Sequence, residues 1–260
     1  MASRISKVFK DLSLNNRSAF IPYITAGDPD IELSQLILES LPLGGADIIE
    51  VGMPFSDPMA DGPSIQESSL RSLNNGHDMN KTFKMIEDFR IKDYETPIVL
   101  MGYFNPILQF GIEKFCSNCK DVGIDGLIIP DLPAEIFKKN YKNIFDKNKL
   151  NMMFLITPQT SNDRINLIDD LSKGFIYMVS SYSVTGAKDS FDKYQIEYFK
   201  RIKKLNLSNP LLIGFGISNK KTFQAACHNS NGAIIGSAYI KYIEYHGVSK
   251  TRDFIKLIKD

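Results

Sequence analysis

The sequence predicts an α/β fold: one closed barrel of eight β/α units spanning residues 1–260, with a helix ahead of the first strand and an extra helical insertion after the second. Three observations carry this expectation. Eight short, apolar, β-branched runs recur along the chain, and each is continuous rather than alternating, as a strand covered on both faces of a parallel sheet should be. Segments with helical spacing and capping residues separate them, so strand and helix alternate strictly. The chain's 260 residues suit a single α/β barrel. An open doubly wound sheet is the structural alternative, but no G-x-G-x-x-G follows the first strand.

Taken in order, the chain begins with MASRISKVFKDL, where Ile5, Val8, Phe9 and Leu12 recur at helical spacing. Without a long apolar core this is a first helix rather than a removable leader, and the expected address is the cytoplasm, or the plastid stroma for a plastid-encoded chain. The strands are AFIPYIT from Ala19, DIIEVG from Asp47, PIVLMGY from Pro97, GLIIPDL from Gly126, NMMFLIT from Asn151, FIYMVSS from Phe175, PLLIGFG from Pro210 and GAIIGSA from Gly232. Helices are expected over Asp30–Leu43, Pro63–Asn74, Met79–Ile91, Ile112–Val122, Pro133–Asn148, Asn162–Leu171, Tyr194–Leu205 and Ser218–His228, with a last one from Ala238 to the C-terminus. The gap between the second and third strands is the longest and holds two of them, which is the insertion.

Composition narrows the function classes. Hydrophobic residues make up 43% and charged residues 23% of the chain, and 31 basic against 30 acidic residues leave a net charge of +1. That balance offers neither a nucleic-acid groove nor an attraction to anionic membrane, and no apolar run is long enough to span a bilayer. Cys116 and Cys119 form a C-x-x-C, but inside a helical pattern well past its start, so packing is the preferred reading over redox chemistry. The three histidines, His77, His228 and His246, are too dispersed to suggest a metal set.

In a barrel of this kind, function lies in the loops that follow the strands. The loop after strand two stands out: Glu50 to Pro63 reads EVGMPFSDPMADGP, a stiff polar connector with a carboxylate embedded in the apolar strand end. A desolvated carboxylate has a raised pKa, which suits acid and base work, so Glu50 is the first catalytic candidate. Asp61 lies eleven positions on, where the loop could fold back over the same cavity. In the TAGDP turn after strand one, Asp28 or Asp30 reads as a cap of the next helix. GYFNPILQFG after strand three is an apolar loop suited to a lid or to contact with another protein. Asp131 in PDLP reads as a cap ahead of Pro133, with catalysis the alternative. The TPQTSND stretch after strand five reads as capping by Ser161 and Asp163, and SSYSVTGAKDS after strand six as a lid hinged at Gly186. GFGIS and GSA close strands seven and eight. Their glycines let backbone N–H groups approach a phosphate, and the helix starts at Ser218 and Ser237 add a hydroxyl and a dipole.

These motifs, in this order and spacing, resemble the alpha subunit of tryptophan synthase over nearly the whole chain: AFIPYITAGDP, GADIIEVGMPFSDPMADGPSIQ, the YFNPI and PDLP loops, SVTGA, GFGIS and GSA. The resemblance implies a TIM-barrel lyase that splits indole-3-glycerol phosphate to indole and glyceraldehyde 3-phosphate in a retro-aldol step. It implies no cofactor of its own, pyridoxal phosphate being expected only in a partner beta subunit that receives the indole within an α2β2 complex. It assigns proton transfer to Glu50 and charge stabilisation at the ring nitrogen to Asp61, on a loop expected to become ordered when ligand or partner arrives. Tyr23, Met101, Ile128, Tyr177, Phe215 and Ile234 match substrate-enclosing positions, and Thr185, Gly186, Gly214, Gly216, Gly236 and Ser237 the phosphate end. The Met53 to Pro63 and Tyr103 to Phe110 loops would face the beta subunit. Tyr23 stands where many members carry Phe, and Ser181 to Ser183 replace a stretch that can hold an arginine. Rival readings are a sugar-phosphate epimerase, which should show metal-binding histidines at its strand ends, another indole-pathway barrel, whose synthase should show a strand-end lysine, and an idle barrel retained as an activator. The retention of Glu50 and Asp61 speaks against the last.

Overall fold

A computed structural model describes residues 3–180 and 191–259. Among these, nine parallel strands form one sheet in the order β5-β4-β3-β2-β1-β9-β8-β7-β6. They are β1 Ala19–Thr25, β2 Ile49–Gly52, β3 Ile98–Met101, β4 Gly126–Ile128, β5 Asn151–Met153, β6 Leu155–Ile156, β7 Ile176–Val179, β8 Leu211–Gly214 and β9 Gly232–Ile235. The expected fifth strand is split at Phe154 into β5 and β6, which pair with β4 and β7 respectively. The two ends of the sheet are thus consecutive in the chain, and eight sequence runs account for a nearly closed nine-piece barrel.

The helices are α1 Arg4–Leu14, α2 Ile31–Gly44, α3 Pro63–Asn74, α4 Met79–Lys92, α5 Phe104–Phe110, α6 Ile112–Asp121, α7 Ala134–Ile136, α8 Lys142–Lys147, α9 Asn162–Leu171, α10 Lys193–Lys203, α11 Lys220–Asn229, α12 Ser237–His246 and α13 Thr251–Lys259. Several begin at a capping side chain: those of Asp30, Asp78, Ser161 and Asp192 accept the amides of Leu33, Lys81, Arg164 and Gln195. Several expectations need correction. The apolar stretch after β3 is largely a helix, α5, whose first amide, on Phe104, donates to Asp131 at 2.9 Å. Asp131 therefore caps a neighbouring helix and not the one after Pro133. The helix expected over Pro133–Asn148 runs from Ala134 to Lys147, with a π turn over Phe137–Tyr141 within it. The helix after β8 starts at Lys220 with Asn219 as its cap, two residues beyond Ser218. The last helix is interrupted at Gly247, whose φ of +82° ends α12 before α13 begins.

Asp28 is not a cap. Its buried carboxylate accepts from Arg71 Nε at 2.8 Å and from the Ser68 hydroxyl, while the Ser72 hydroxyl donates to the Ala26 carbonyl at 2.6 Å. All three donors lie on α3, so the insertion is clamped onto the loop after β1. The clamp fixes where α3 starts, two residues after Asp61.

Two apolar layers enclose the strands. Between sheet and helices runs a continuous core from Phe20 to Ile258. Inside the barrel, Ala19, Ile21, Val99, Ile128, Met153, Phe175, Leu212 and Ile234 pack together, and Ile5 and Leu12 of α1 join them. Phe9 meets Phe175 edge-on at 6.3 Å, so α1 plugs the end of the barrel opposite the strand tips. Arg4 locks the plug: with Arg90 it holds Asp125 at 3.0 Å each, and Asp125 also accepts the Ile98 amide at 2.9 Å. Cys116 and Cys119 are buried in α6 among core residues, and burial pushes both thiols up. No helix among the described residues is long and apolar enough to cross a membrane.

Burial raises the Asp125 carboxyl and lowers the Arg90 guanidinium to about 10, so the cluster is costly to leave half-dismantled. Asp125→Asn strands two cations around a neutral amide, and the expected loss is about 3 kcal/mol, read as a lower urea midpoint with an unchanged slope.

Candidate active site

The strand register sets the site. Tyr23 of β1 pairs with Glu50 of β2, and Gly52 with Met101 of β3, which brings inward-facing side chains from three neighbouring strands to one level at the barrel mouth. On the far wall, Tyr177 of β7 and the turn after β8 face them. Two glycines make the level possible: a side-chain carbon on Gly52 would overlap the Tyr23 hydroxyl, and one on Gly214 would overlap that of Tyr177. The two phenols occupy space that any other residue would claim.

Between these walls lies a cavity lined by Tyr23, Glu50, Asp61, Gly62, Ile65, Met101, Tyr177, Phe215, Ile234, Gly236 and Ser237. Every residue in this set except Gly62 and Ile65 was expected from the sequence. Ile128 is fully buried in the barrel interior and packs beneath the cavity rather than lining it. Gly214 and Gly216 flank Phe215, and Gly214 acts by admitting Tyr177. Thr185 and Gly186, with the expected lid, lie outside the described residues.

Glu50 is 1% exposed, and its Oε2 finds no hydrogen-bond partner among the described residues. Burial, and secondarily the neighbouring Asp61, raise its carboxyl to about 8. Asp61 is 6% exposed and is raised to about 6 by burial, against which a hydrogen bond from the Tyr103 hydroxyl at 3.0 Å works. Two acids in one cavity thus have pKa values pushed up and apart. That is the condition for one to hold a proton while the other is charged. Asp61 lies in the loop after β2, at the wall of this cavity.

At the opposite end, Gly236 and Ser237 open α12. No side chain caps this helix, so its first amides face the cavity with the positive end of the dipole. The turn after β8 is unusual. Phe215 has φ of +68°, and its carbonyl accepts the Ser180 hydroxyl at 2.7 Å. Holding a large side chain in the left-handed region costs about 1 kcal/mol or more, and it aims the ring edge-on at Tyr177, 6.1 Å away. Ser180, Gly52, Gly62, Ile65 and Tyr103 went unrecognised in the sequence as parts of the site. Gly62 could have been read from its place beside Asp61; the others depend on which strand tips face each other.

Fold and site together describe an α/β barrel with two buried carboxylates in one cavity, next to a helix start that no side chain caps. A sequence profile described as tryptophan synthase alpha chain matches residues 9–259. The tryptophan synthase alpha chain of Flavobacterium psychrophilum is 52% identical over 91% of this chain and 93% of its own length; that of Christiangramia forsetii is 51% identical over 91% and 92%. Among solved structures, tryptophan synthase subunit alpha from Legionella pneumophila superposes with a TM-score of 0.89 at 32% identity, over 99% of this chain and 97% of that one. The chain belongs to the tryptophan synthase alpha chain family, as its motifs indicated. It is accordingly a carbon–carbon lyase of tryptophan biosynthesis that carries the alpha reaction.

The raised Glu50 pKa has a consequence for stability. Between its ordinary value of 4.5 and about 8, the unfolded chain releases this proton while the folded chain keeps it, so stability falls as pH rises through that window and levels off above it. Glu50→Gln has nothing to release. Its thermal stability relative to wild type should improve steadily from pH 4.5 to pH 8, and a constant difference across that range would contradict a buried, proton-retaining Glu50.

Proposed function

We propose that Glu50 and Asp61 carry the retro-aldol cleavage of indole-3-glycerol phosphate, with Glu50 as proton shuttle and Asp61 as the anion beside the indole nitrogen. The observation that carries this reading is the pair itself: one carboxyl kept protonated near neutrality by burial, the other kept charged, on facing parts of one apolar cavity. The protonated Glu50 gives its proton to C3 of the indole ring, and positive charge develops at the ring nitrogen. A fixed Asp61 carboxylate opposes that charge without having to reorganise. The C1′ hydroxyl of the glycerol chain then loses its proton to the Glu50 carboxylate. The C3–C1′ bond breaks, C1′ becomes the aldehyde carbon, and the bonding pair returns to the ring to restore indole. Glu50 ends protonated as it began, so no net proton is consumed and no external oxidant or reductant enters.

The remaining assignments follow from shape. Tyr23, Met101, Tyr177, Phe215 and Ile234 supply apolar and aromatic surface for the indole, with Ile128 supporting Met101 from below. The phosphate is received by the main chain at Gly216 and Gly236 and by Ser237 at the start of α12, an arrangement suited to an anion; Thr185 and Gly186 would complete this end. The reaction asks no cofactor of this chain. Indole passes to a pyridoxal-phosphate-dependent beta subunit in an α2β2 complex, for which Met59, 89% exposed, and Leu108, 44% exposed, offer apolar contacts on the loop after β2 and on α5. On this reading residues 1–260 work as a single barrel domain in the cytoplasm.

Release of indole from indole-3-glycerol phosphate by the purified chain, alone and with a beta subunit, tests the reading; absence of indole under both conditions overturns it. Glu50→Gln keeps the shape and removes proton transfer, so turnover should drop a hundredfold or more with substrate affinity little changed. The pH profile of kcat/KM should be bell-shaped. Activity falls below about 6 as Asp61 takes up a proton and above about 8 as Glu50 loses its own, the two apparent values belonging to the pair.

A further inference from the structure

Tyr103 lies two residues past the end of β3, is 6% exposed, and does not line the cavity. Its hydroxyl nevertheless does two things at once. It donates to Asp61 Oδ2 at 3.0 Å and accepts the amide of Ala60 at 2.8 Å. Its ring lies 5.2 Å from that of Phe55. One phenol thus grips the loop after β2 at Phe55, Ala60 and Asp61, from a base held by β3 and by α5, whose first amide Asp131 occupies.

We propose that Tyr103 is the positioning residue of the alpha reaction: its hydroxyl holds the Asp61 carboxylate at the cavity wall and keeps it a hydrogen-bond acceptor. The proposal rests on Asp61 being the charge-stabilising group. The direction of donation is fixed by the partners. The Ala60 amide can only donate, so the phenol accepts there and its own proton is left for Asp61. A carboxylate that receives such a bond stays ionised more readily than one that is merely buried. The other ionisable groups acting on Asp61 or acted on by it are Glu50, Tyr23 and Tyr177. None of these has a hydrogen bond to Asp61 among the described residues. Tyr103 is also held by burial and by Asp61 well above the ordinary tyrosine range, so it remains a donor throughout the working pH range.

Tyr103→Phe keeps the ring and removes both bonds of the hydroxyl. The expected result is a roughly tenfold lower kcat with KM changed less than about threefold, and an acid limb of the kcat/KM profile displaced upward by about one pH unit. A ring carrying two fluorines beside the hydroxyl donates more strongly and should displace the same limb downward, which a loss of packing would not do. In Asp61→Asn, adding Tyr103→Phe should change kcat little further, because the group it positions is gone. A wild-type acid limb in both Tyr103 variants, with Asp61→Asn inactive, overturns the role of Tyr103 alone. Full activity in Asp61→Asn overturns the assignment of Asp61, and with it the basis for Tyr103.

Discussion

The structure depends on a carboxylate placed where a carboxylate is expensive. Glu50 sits at the inner end of β2, walled by neighbouring strands and by Tyr23 and Tyr177, with an oxygen that no described group satisfies. A stability-driven sequence would place an aliphatic residue there. The barrel tolerates the cost because its stability is generated elsewhere: in the layer between sheet and helices, and in the plug at the opposite end, where α1 and the Asp125 cluster seal the interior. Separation of the two ends lets one be strained without loosening the other.

Asp61 is handled differently. It does not sit on a strand, so its position is not guaranteed by the sheet. Instead it is fixed from two sides, by the α3 clamp through Asp28, Arg71, Ser68 and Ser72, and by Tyr103 across the mouth. The first positions the backbone and the second the carboxylate. This division explains why the insertion after β2 is tied so heavily to the loop after β1, a connection with no direct part in the chemistry.

Much of this was legible in the sequence, because the barrel's strands are apolar runs whose chemistry is local. The residues after β2, β8 and β9 could be picked out on composition, and Glu50 on the single fact of a charge inside such a run. What was not legible was contact between segments remote in sequence. Asp28 and Asp30 were both candidates for the cap after the tight turn; Asp30 is the cap, and only the arrival of α3 gives Asp28 its Arg71. Asp131 looked like the cap of its own following helix and serves α5 instead. The split of the fifth strand at Phe154 and the break at Gly247 are tertiary adjustments that leave little trace in periodicity. Thr185 and Gly186, read from their motif, lie outside the described residues.

Tyr103 shows why such contacts matter for the chemistry. In the sequence it is one aromatic residue at the head of an apolar stretch, and its hydroxyl has no evident purpose. In the fold it is the bond by which β3 reaches the Asp61 carboxylate, and the balance of effects there is fine. Burial drives that carboxyl toward protonation, and Tyr103 drives it back. Were burial unopposed, Asp61 would compete with Glu50 as proton holder, and in the proposed mechanism two neutral acids would face a ring that needs one proton and one negative charge. Were Asp61 as free as a surface aspartate, water would screen its charge and weaken the pull on the ring nitrogen proposed for it. A neutral donor that never ionises in the working range meets both demands, because it favours the charged form without adding charge of its own.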